Sequence, residues 1–265
     1  VSRVLKTLDV DSTALGFAGG FPGEFISKTL EDSQIQTDFI QVDEDTRINV
    51  KLKSGQETEI NAPGPKVTDE QFQALLTKIR NTTSDDTVIV AGSVPNSIPS
   101  DAYAQIAEIT KDTGAKLVVD AEKDLVETVL PYQPLFIKPN KDELEVMFNT
   151  TVTSDEDVVK YGKEILKMGA QSVIISLGGD GAIYVDKKQS IKAVNPQGQV
   201  VNTVGSGDST VAGMVAGLAS GLSIQDAFKQ AVASGTATAF DEDLATRDAI
   251  EKIKSQVTIS VLDGE

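Results

Sequence analysis

Four apolar, β-branched runs constrain this chain more than any other feature: 87–91 (TVIVA), 116–120 (KLVVD), 134–138 (PLFIK) and 172–176 (SVIIS). A strand with one wet face alternates polar and apolar residues. These runs are nearly continuous, which suits strands covered on both faces of a parallel sheet. Parallel neighbours need long crossovers, and helix patterns fill the intervals. Thr68 with Gln71 forms a capping box that opens a helix to about residue 80, and 101–112 and 154–168 are helical. Residues 182–193 read as a hairpin with Lys187-Lys188 at its tip, and 208–220 and 223–239 as two Ala/Gly-rich helices. At the start, Val1, Val4, Leu5 and Leu8 fall at i, i+3, i+4 and i+7, so the chain opens on an amphipathic helix. A strand over 12–18 and a helix over 22–32 follow. The pattern predicts an α/β sandwich.

One stretch breaks the alternation. Residues 37–42, 47–53 and 56–61 are short strand-like segments, and the last two flank Ser54-Gly55, a hairpin turn signal. No helix pattern lies between 36 and 66, and Ala62-Pro63-Gly64-Pro65 closes the stretch. The expected organisation is an α/β core of 1–36 and 63–265 with a small β insertion at 37–62. A sheet of this kind normally begins with a strand that feeds its first helix. Here the helix pattern begins at residue 1, which reads either as a variant that opens on a helix or as a chain whose first strand lies upstream of this sequence.

Composition narrows the chemistry. Lys and Arg number 24 against 40 Asp and Glu, a net charge of −16, and there is neither His nor Cys. So acidic a chain argues against a nucleic-acid or anionic-membrane binder, because attraction to phosphate needs clustered cations. Without Cys there are no disulfides, thiolate metal sites or thiol nucleophiles; without His there is no Ser-His-Asp triad. A catalytic base must be Asp, Glu, Lys or Tyr, and a metal must be a hard ion such as Mg²⁺. No apolar run reaches 18 residues, and charges interrupt the N-terminal VSRVLKTL, so neither a membrane span nor a signal peptide is expected. The expected location is the cytoplasm.

Five motifs carry possible chemistry. In Asn202-Thr203-Val204-Gly205-Ser206-Gly207-Asp208-Ser209, a Gly-x-Gly precedes a helix. That arrangement aims backbone N–H groups and the positive end of a helix dipole at an anion. Asp208 is informative there, since a carboxylate competes with phosphate unless its task is to take a proton from a hydroxyl. As a simple helix cap, Asp208 accounts for the loop about equally well. Lys138-Pro139-Asn140-Lys141-Asp142-Glu143 ends an apolar strand. Asn140 and Glu143 share a face and suit Mg²⁺, directly or through water; read alone, an ordinary capping box explains them better. Ser176-Leu177-Gly178-Gly179-Asp180-Gly181-Ala182 allows close backbone approach to a ligand, or is a tight strand connection. On an extended strand Arg47, Asn49 and Lys51 share one face, fit for a sugar phosphate or merely solvated. Last, Ala18 to Gly23 with Gly19 and Gly20 is a weak near-match to a dinucleotide fingerprint, with Asp38 or Asp43 as its acidic partner.

Order and spacing decide among these alternatives. The N-T-V-G-S-G-D-S run resembles the second signature of the ribokinase-like (PfkB) carbohydrate kinase family, K-P-N-x-x-E resembles its Asn-x-x-Glu magnesium motif, and S-L-G-G-D-G its nucleotide loop. V-S-R-V-L resembles the tail of the family's first signature, whose Gly-Gly-Lys-Gly portion is not in this sequence. Asp45-Thr46-Arg47, Gly92-Ser93-Val94-Pro95 and 234–240 resemble the branch of the family that acts on phosphorylated sugars. The resemblance covers essentially the whole chain. It implies a ribokinase-like three-layer α/β/α core with a central, mostly parallel sheet and a small β-sheet lid, and an ATP- and Mg²⁺-dependent sugar-phosphate kinase. By position, Asp208 is then the general base, and Gly205, Ser206 and Gly207 the anion hole. Lys138, Asn140 and Glu143 organise phosphates and Mg²⁺, and Ser176, Gly178, Gly179 and Gly181 lie by the nucleotide. Arg47, with Asn49 and Lys51, holds the substrate's phosphate, and Gly19 and Gly20 line the sugar site. The lid implies a homodimer through 37–62. Ser206 stands where the family commonly has Ala. Three rivals remain: a kinase of the same family acting on tagatose 6-phosphate, a nicotinamide-dependent oxidoreductase using the 18–23 loop, and a non-catalytic sugar-phosphate sensor.

Overall fold

The computed structural model describes residues 1–54, 56–92 and 94–264; the side chains of 51–54, 56–59 and 61 are outside that description. Gly55 of the expected hairpin turn, Ser93 and the Lys51 side chain therefore lie outside the described residues.

Helix α1 (Ser2–Thr7) leads into β1 (Thr13–Ala14), β2 (Phe17–Ala18), α2 (Gly20–Asp32), β3 (Gln36–Thr37) and β4 (Ile40–Gln41). Next come β5 (Asn49–Ser54), β6 (Gln56–Asn61), α3 (Asp69–Arg80), β7 (Thr87–Ala91), α4 (Ala102–Thr113), β8 (Lys116–Asp120), α5 (Lys123–Val129) and β9 (Phe136–Ile137). The chain continues with α6 (Lys141–Phe148), α7 (Asp155–Met168), β10 (Ser172–Ser176), β11 (Ala182–Asp186) and β12 (Gln189–Val194). It closes with α8 (Ser206–Ala219), α9 (Ile224–Ala239), α10 (Arg247–Lys254) and β13 (Thr258–Gly264).

Seven strands form the central sheet in the order β13-β12-β11-β10-β9-β8-β7. Strands β7 to β10 are parallel, and β10 to β13 continue antiparallel, with β13 returning to β12 only after α8, α9 and α10. The continuous apolar runs are explained by what covers them. Along β8 and β10, Val118 and Ile174 pack into one core with Val4, Val211, Met214 and Phe228 from the first and last helices. Their neighbours Leu117, Val119, Val173 and Ile175 pack on the other face with Tyr103, Leu144, Val158 and Ile165 from α4, α6 and α7. Both faces are dry, which gives the three layers. Among the described residues no helix is long and apolar enough to cross a membrane.

The predicted capping box of α3 forms, with Thr68 and Gln71 reciprocally bonded. Three expectations shift. The single strand over 12–18 breaks at Gly16, at φ 147°, into β1 and β2. Segment 37–42 does not join the hairpin. Instead β3 pairs in parallel with β1 (Thr13↔Gln36) and β4 with β2 (Phe17↔Ile40). Its apolar residues decide this, because Ile40 and Val42 pack with Val67, Phe72 and Leu76. The separate β unit is thus the hairpin β5–β6, paired from Asn49↔Asn61 to Ser54↔Gln56 and narrower than 37–62. Helix α2 starts at Gly20, two residues earlier than its pattern implied.

Candidate active site

Parallel strands gather their carboxyl ends along one edge of the sheet, where ligands of open α/β folds bind. Here that edge holds Asp120 at the end of β8, Lys138 just after β9 and Ser176 at the end of β10. A β-bridge ties Asn140 to Ser176, which fixes the exit of β9 beside that of β10.

Lys138 is 7% exposed. Its Nζ lies 3.1 Å from Asp120 Oδ1, so an otherwise costly buried ammonium has its counter-charge. Burial raises the Asp120 carboxyl above its ordinary range; Lys138 opposes that shift, and the Asp208 charge adds to it. Asp208 therefore belongs to the same electrostatic group. A Cβ on Gly207 would stand 3.2 Å from Lys138 Nζ, so the glycine loop rests directly on the ion pair.

Asp208 is not the cap of its helix. The N-cap of α8 is Gly205, at φ 81°, and no side chain caps the helix; Asp208 sits in its first turn. Among the described residues Ser206 Oγ is buried without a hydrogen-bond partner. The helix start thus offers uncapped N–H groups and an orphaned hydroxyl, a donor set suited to an anion. The second motif realises the capping box: Asn140 N–H donates to Glu143 Oε2 and Glu143 N–H to Asn140 Oδ1, both at 2.8 Å. Among the described residues no group of three or more acidic side chains gathers to hold a metal. An ion here would take most of its ligands from a polyphosphate, with the Asn140–Glu143 carbonyl and carboxylate oxygens as hard outer partners.

A cavity of about 650 Å³ opens beside the α8 start, lined by Asn140, Ser176, Gly178, Gly179, Gly181, Thr203, Ser206, Gly207 and Thr236. The size suits a nucleotide-sized ligand. Within the 178–180 turn, a Cβ on Gly178 or Gly179 would meet nothing within 4 Å, so this backbone faces open space. Lys138, Asp208 and Glu143 stand outside the lining.

On the N-terminal side Arg47 Nε donates to Asn49 Oδ1 at 2.9 Å; the two side chains meet, although β5 begins only at Asn49 and Arg47 precedes it. Gly19 N–H donates to Thr46 Oγ1 at 3.0 Å, and Asp45 packs on Gly20, so segment 45–47 closes over the start of α2. Gly19, Gly20 and Arg47 are thereby brought together. The same contact removes the dinucleotide alternative. With Asp45 on Gly20 and Val42 Cγ2 2.9 Å from where a Gly19 Cβ would be, the helix start is filled, and by a carboxylate. A second, apolar cavity of about 630 Å³ runs along β7, bounded by Leu15, Phe17, Thr46, Arg47, Gly64, Phe72 and Val90.

Asp120 is the site residue that motif reading missed. Its signal was available, since an acidic residue ends the apolar run KLVVD at the carboxyl edge of the sheet. Tyr103 was also missed. Burial, with the Asp120 charge second, pushes its phenol up to about 12, and its hydroxyl donates to Gly92 O at 3.0 Å.

Residues 1–249 match the model of the pfkB family carbohydrate kinases. The chain is 44% identical over 262 residues to a 1-phosphofructokinase of Bacillus subtilis, covering 99% of this chain and 86% of that protein. It is 37% identical over 263 residues to a D-tagatose-1-phosphate kinase of Bacillus licheniformis, covering 99% of this chain and 86% of that one. A crystal structure of a Staphylococcus aureus protein, provisionally described as a phosphofructokinase, superposes with a TM-score of 0.92 at 81% identity, over all of this chain and 86% of that one.

Proposed function

The chain belongs to the pfkB family of carbohydrate kinases, and from that premise we propose that it transfers the γ-phosphoryl group of ATP to the C6 hydroxyl of fructose 1-phosphate, yielding fructose 1,6-bisphosphate and ADP. One observation carries the reading: Asp208 stands in the first turn of an uncapped helix, beside the buried Lys138–Asp120 pair. Phosphoryl transfer asks a protein mainly for positioning and charge neutralisation. Asp208 accepts the hydroxyl proton as the oxygen attacks. The N–H groups of Gly205, Ser206 and Gly207 stabilise the transferring group, and Lys138 neutralises charge on the phosphates. Asn140 and Glu143 would hold a Mg²⁺ ion through water, and that ion would supply further charge neutralisation.

Ser176, Gly178, Gly179 and Gly181 shape the nucleotide cavity. Arg47, assisted by Asn49 and Lys51, grips the phosphate already on the sugar, with Gly19 and Gly20 behind it. The hairpin β5–β6 closes as a lid and pairs two copies into a homodimer. Exposed Ile48, Val50 and Ile60 support that role, as does the exposed edge of an isolated two-stranded sheet. An ATP-consuming sugar kinase of this kind works in the cytoplasm. The relative that acts on a tagatose phosphate supports a second reading, a tagatose-phosphate kinase with the same residue roles.

Coupled ADP release with Mg-ATP tests the reading, comparing fructose 1-phosphate, tagatose 1-phosphate, tagatose 6-phosphate and fructose 6-phosphate. The expected kcat/KM order has fructose 1-phosphate first. A tagatose phosphate in first place moves the assignment to the second reading. Tight sugar-phosphate binding without ADP release, in a protein whose Asp208→Asn variant behaves identically, would sink catalysis altogether and leave a sensor.

A further inference from the structure

Asn195 follows β12 directly and belongs to none of the motifs above. Its side chain joins two parts of the cavity wall. Oδ1 accepts a hydrogen bond from Thr236 Oγ1 on α9 at 2.8 Å. Nδ2 donates to Gly178 O at 3.1 Å and to Gly179 O at 3.3 Å. Carbonyl oxygens only accept, so the amide orientation is fixed by chemistry. We propose that Asn195 is a positioning residue that holds the 178–179 glycine turn in its ligand-receiving shape by tethering it to α9; the proposal rests on the reading of this cavity as the nucleotide site.

Glycine explains why the turn needs a tether. Gly178 has φ 58° and Gly181 φ 98°, and the first two glycines of the turn carry no side chain against which neighbours could pack. A backbone of that composition loses more freedom on ordering than any other, and a ligand must supply what the fold has not already fixed. The fold fixes the far end of the turn by packing, since a Cβ on Gly181 would stand 2.9 Å from the Ala193 carbonyl carbon. It fixes the near end through Asn195, two residues further along the same strand exit. Gly178 O also accepts from Gly181 N–H at 3.3 Å, so the amide reinforces that carbonyl and engages the one at Gly179, whose negative end would repel a polyphosphate.

Thr236 is a sound anchor, being 6% exposed in α9. Its neighbour Gly235 lies against the start of α8, where a Cβ would come within 2.9 Å of Ser206 O. Asn195 therefore couples the glycine turn to the helix that also supports the anion loop. An Asp at 195 would still accept from Thr236 but would set a carboxylate against two carbonyls.

Steady-state kinetics on Asn195→Ala, Asn195→Asp, Thr236→Val and the Asn195→Ala/Thr236→Val double variant test the tether. For Asn195→Ala the expected change is a roughly tenfold rise in KM for Mg-ATP, the size of about one lost preorganising contact set, with kcat and sugar-phosphate KM within about twofold. Asn195→Asp raises it at least as much. Thr236→Val raises it less, and the double variant is no worse than Asn195→Ala alone, because both act on one tether. Hydrogen exchange of 176–181 in the wild type, with and without a non-hydrolysable Mg-ATP analogue, separates the two layers of the argument. Protection of the turn by the analogue, with the KM pattern above, supports the proposal. Protection with an unchanged KM in Asn195→Ala overturns the tether alone, as does an equal fall in kcat for every substrate. No protection in the wild type overturns the nucleotide reading and the tether with it.

Discussion

The α8–α9 side of the molecule and the N-terminal side with its hairpin are built on opposite plans. Helices α8 and α9 pack backbone to backbone: a Cβ on Gly213 would stand 2.8 Å from Ala231 Cα, and one on Gly217 2.7 Å from Ala227 Cα. Buried residues run almost the whole length of both helices, and the Gly205–Gly207 segment opens the first of them. On the other side the strands β1 to β4 are two residues long, and among the described residues β1 pairs with β3 and β2 with β4 alone. Among the described residues the hairpin β5–β6 pairs with no other strand, and Ile48 and Ile60 are exposed. A kinase needs both: a preorganised centre for the phosphoryl group, and a movable cover that excludes water once the sugar is bound. Substitutions should therefore act through chemistry and folding on the first side, and through substrate affinity and assembly on the second.

The largest effect belongs to Asp208. Asp208→Asn should lower kcat by about 10³-fold, within the range for a lost general base, with nucleotide affinity retained. Isothermal titration with a Mg-ATP analogue beside turnover measures this; kcat above a tenth of the wild-type value would remove the base from Asp208.

Next comes the buried pair. Lys138→Met leaves Asp120 without its cation and should lower kcat about 10²-fold, read against unchanged circular dichroism. Asp120 also makes a pH prediction. Its folded-state pKa is raised, by burial first. As pH falls it takes up a proton before an unfolded-state Asp does, so the native state gains protons and this group's contribution to stability rises. Activity moves the other way, because Lys138 loses its counter-charge. The acid limb of kcat/KM should thus appear while the protein is still folded, and Asp120→Asn should remove the share of that limb that Asp120 contributes. A limb that coincides with acid unfolding would contradict it.

Packing and affinity follow. Gly213→Leu should destabilise by about 1–3 kcal/mol or more, since the facing helix has no room to give; thermal denaturation reads it. Arg47→Ala should raise the sugar-phosphate KM about tenfold and leave the ATP KM alone, because a charge-assisted phosphate contact is lost on the lid side only. Equal changes in both constants would place Arg47 outside the sugar site.

The same contrast sets how much was legible in the sequence. Around α8 each local cue agrees with the global fold: Gly205 stands where the chain needs a positive φ, the apolar runs alternate faces, and Thr68, Asn140 and Ser154 cap as their spacing suggests. Strands of two residues carry too little pattern for periodicity to register, which is why 12–18 read as one strand and 37–42 as part of the β insertion. Asp120 had a local signal at the end of KLVVD but its pairing had none: its partner Lys138 is distant in sequence, and only adjacent strand ends in a parallel sheet bring them together. Asn195 shows the same limit, since its three partners come from a turn and a helix on either side of it in sequence.

The smallest effect on the isolated chain, and the sharpest test of the contrast, lies in the hairpin. Ile60 is 59% exposed, so replacing it by Ser removes little buried area within one chain, and the stability change should stay within about 0.5 kcal/mol. If the hairpin pairs two copies, however, Ile48→Ser with Ile60→Ser removes apolar contacts from both sides of a self-complementary interface. Sedimentation velocity should then show the doubly substituted protein shifted from dimer to monomer at concentrations where the wild type is dimeric. Sugar-phosphate KM should rise with dissociation, while Mg-ATP binding, held by the other side of the molecule, stays constant. A wild type that sediments as a monomer would remove the hairpin's assembly role and leave it a lid alone. Loss of ATP binding on dissociation would show that the two sides are not independent, and the contrast drawn from their packing would fail.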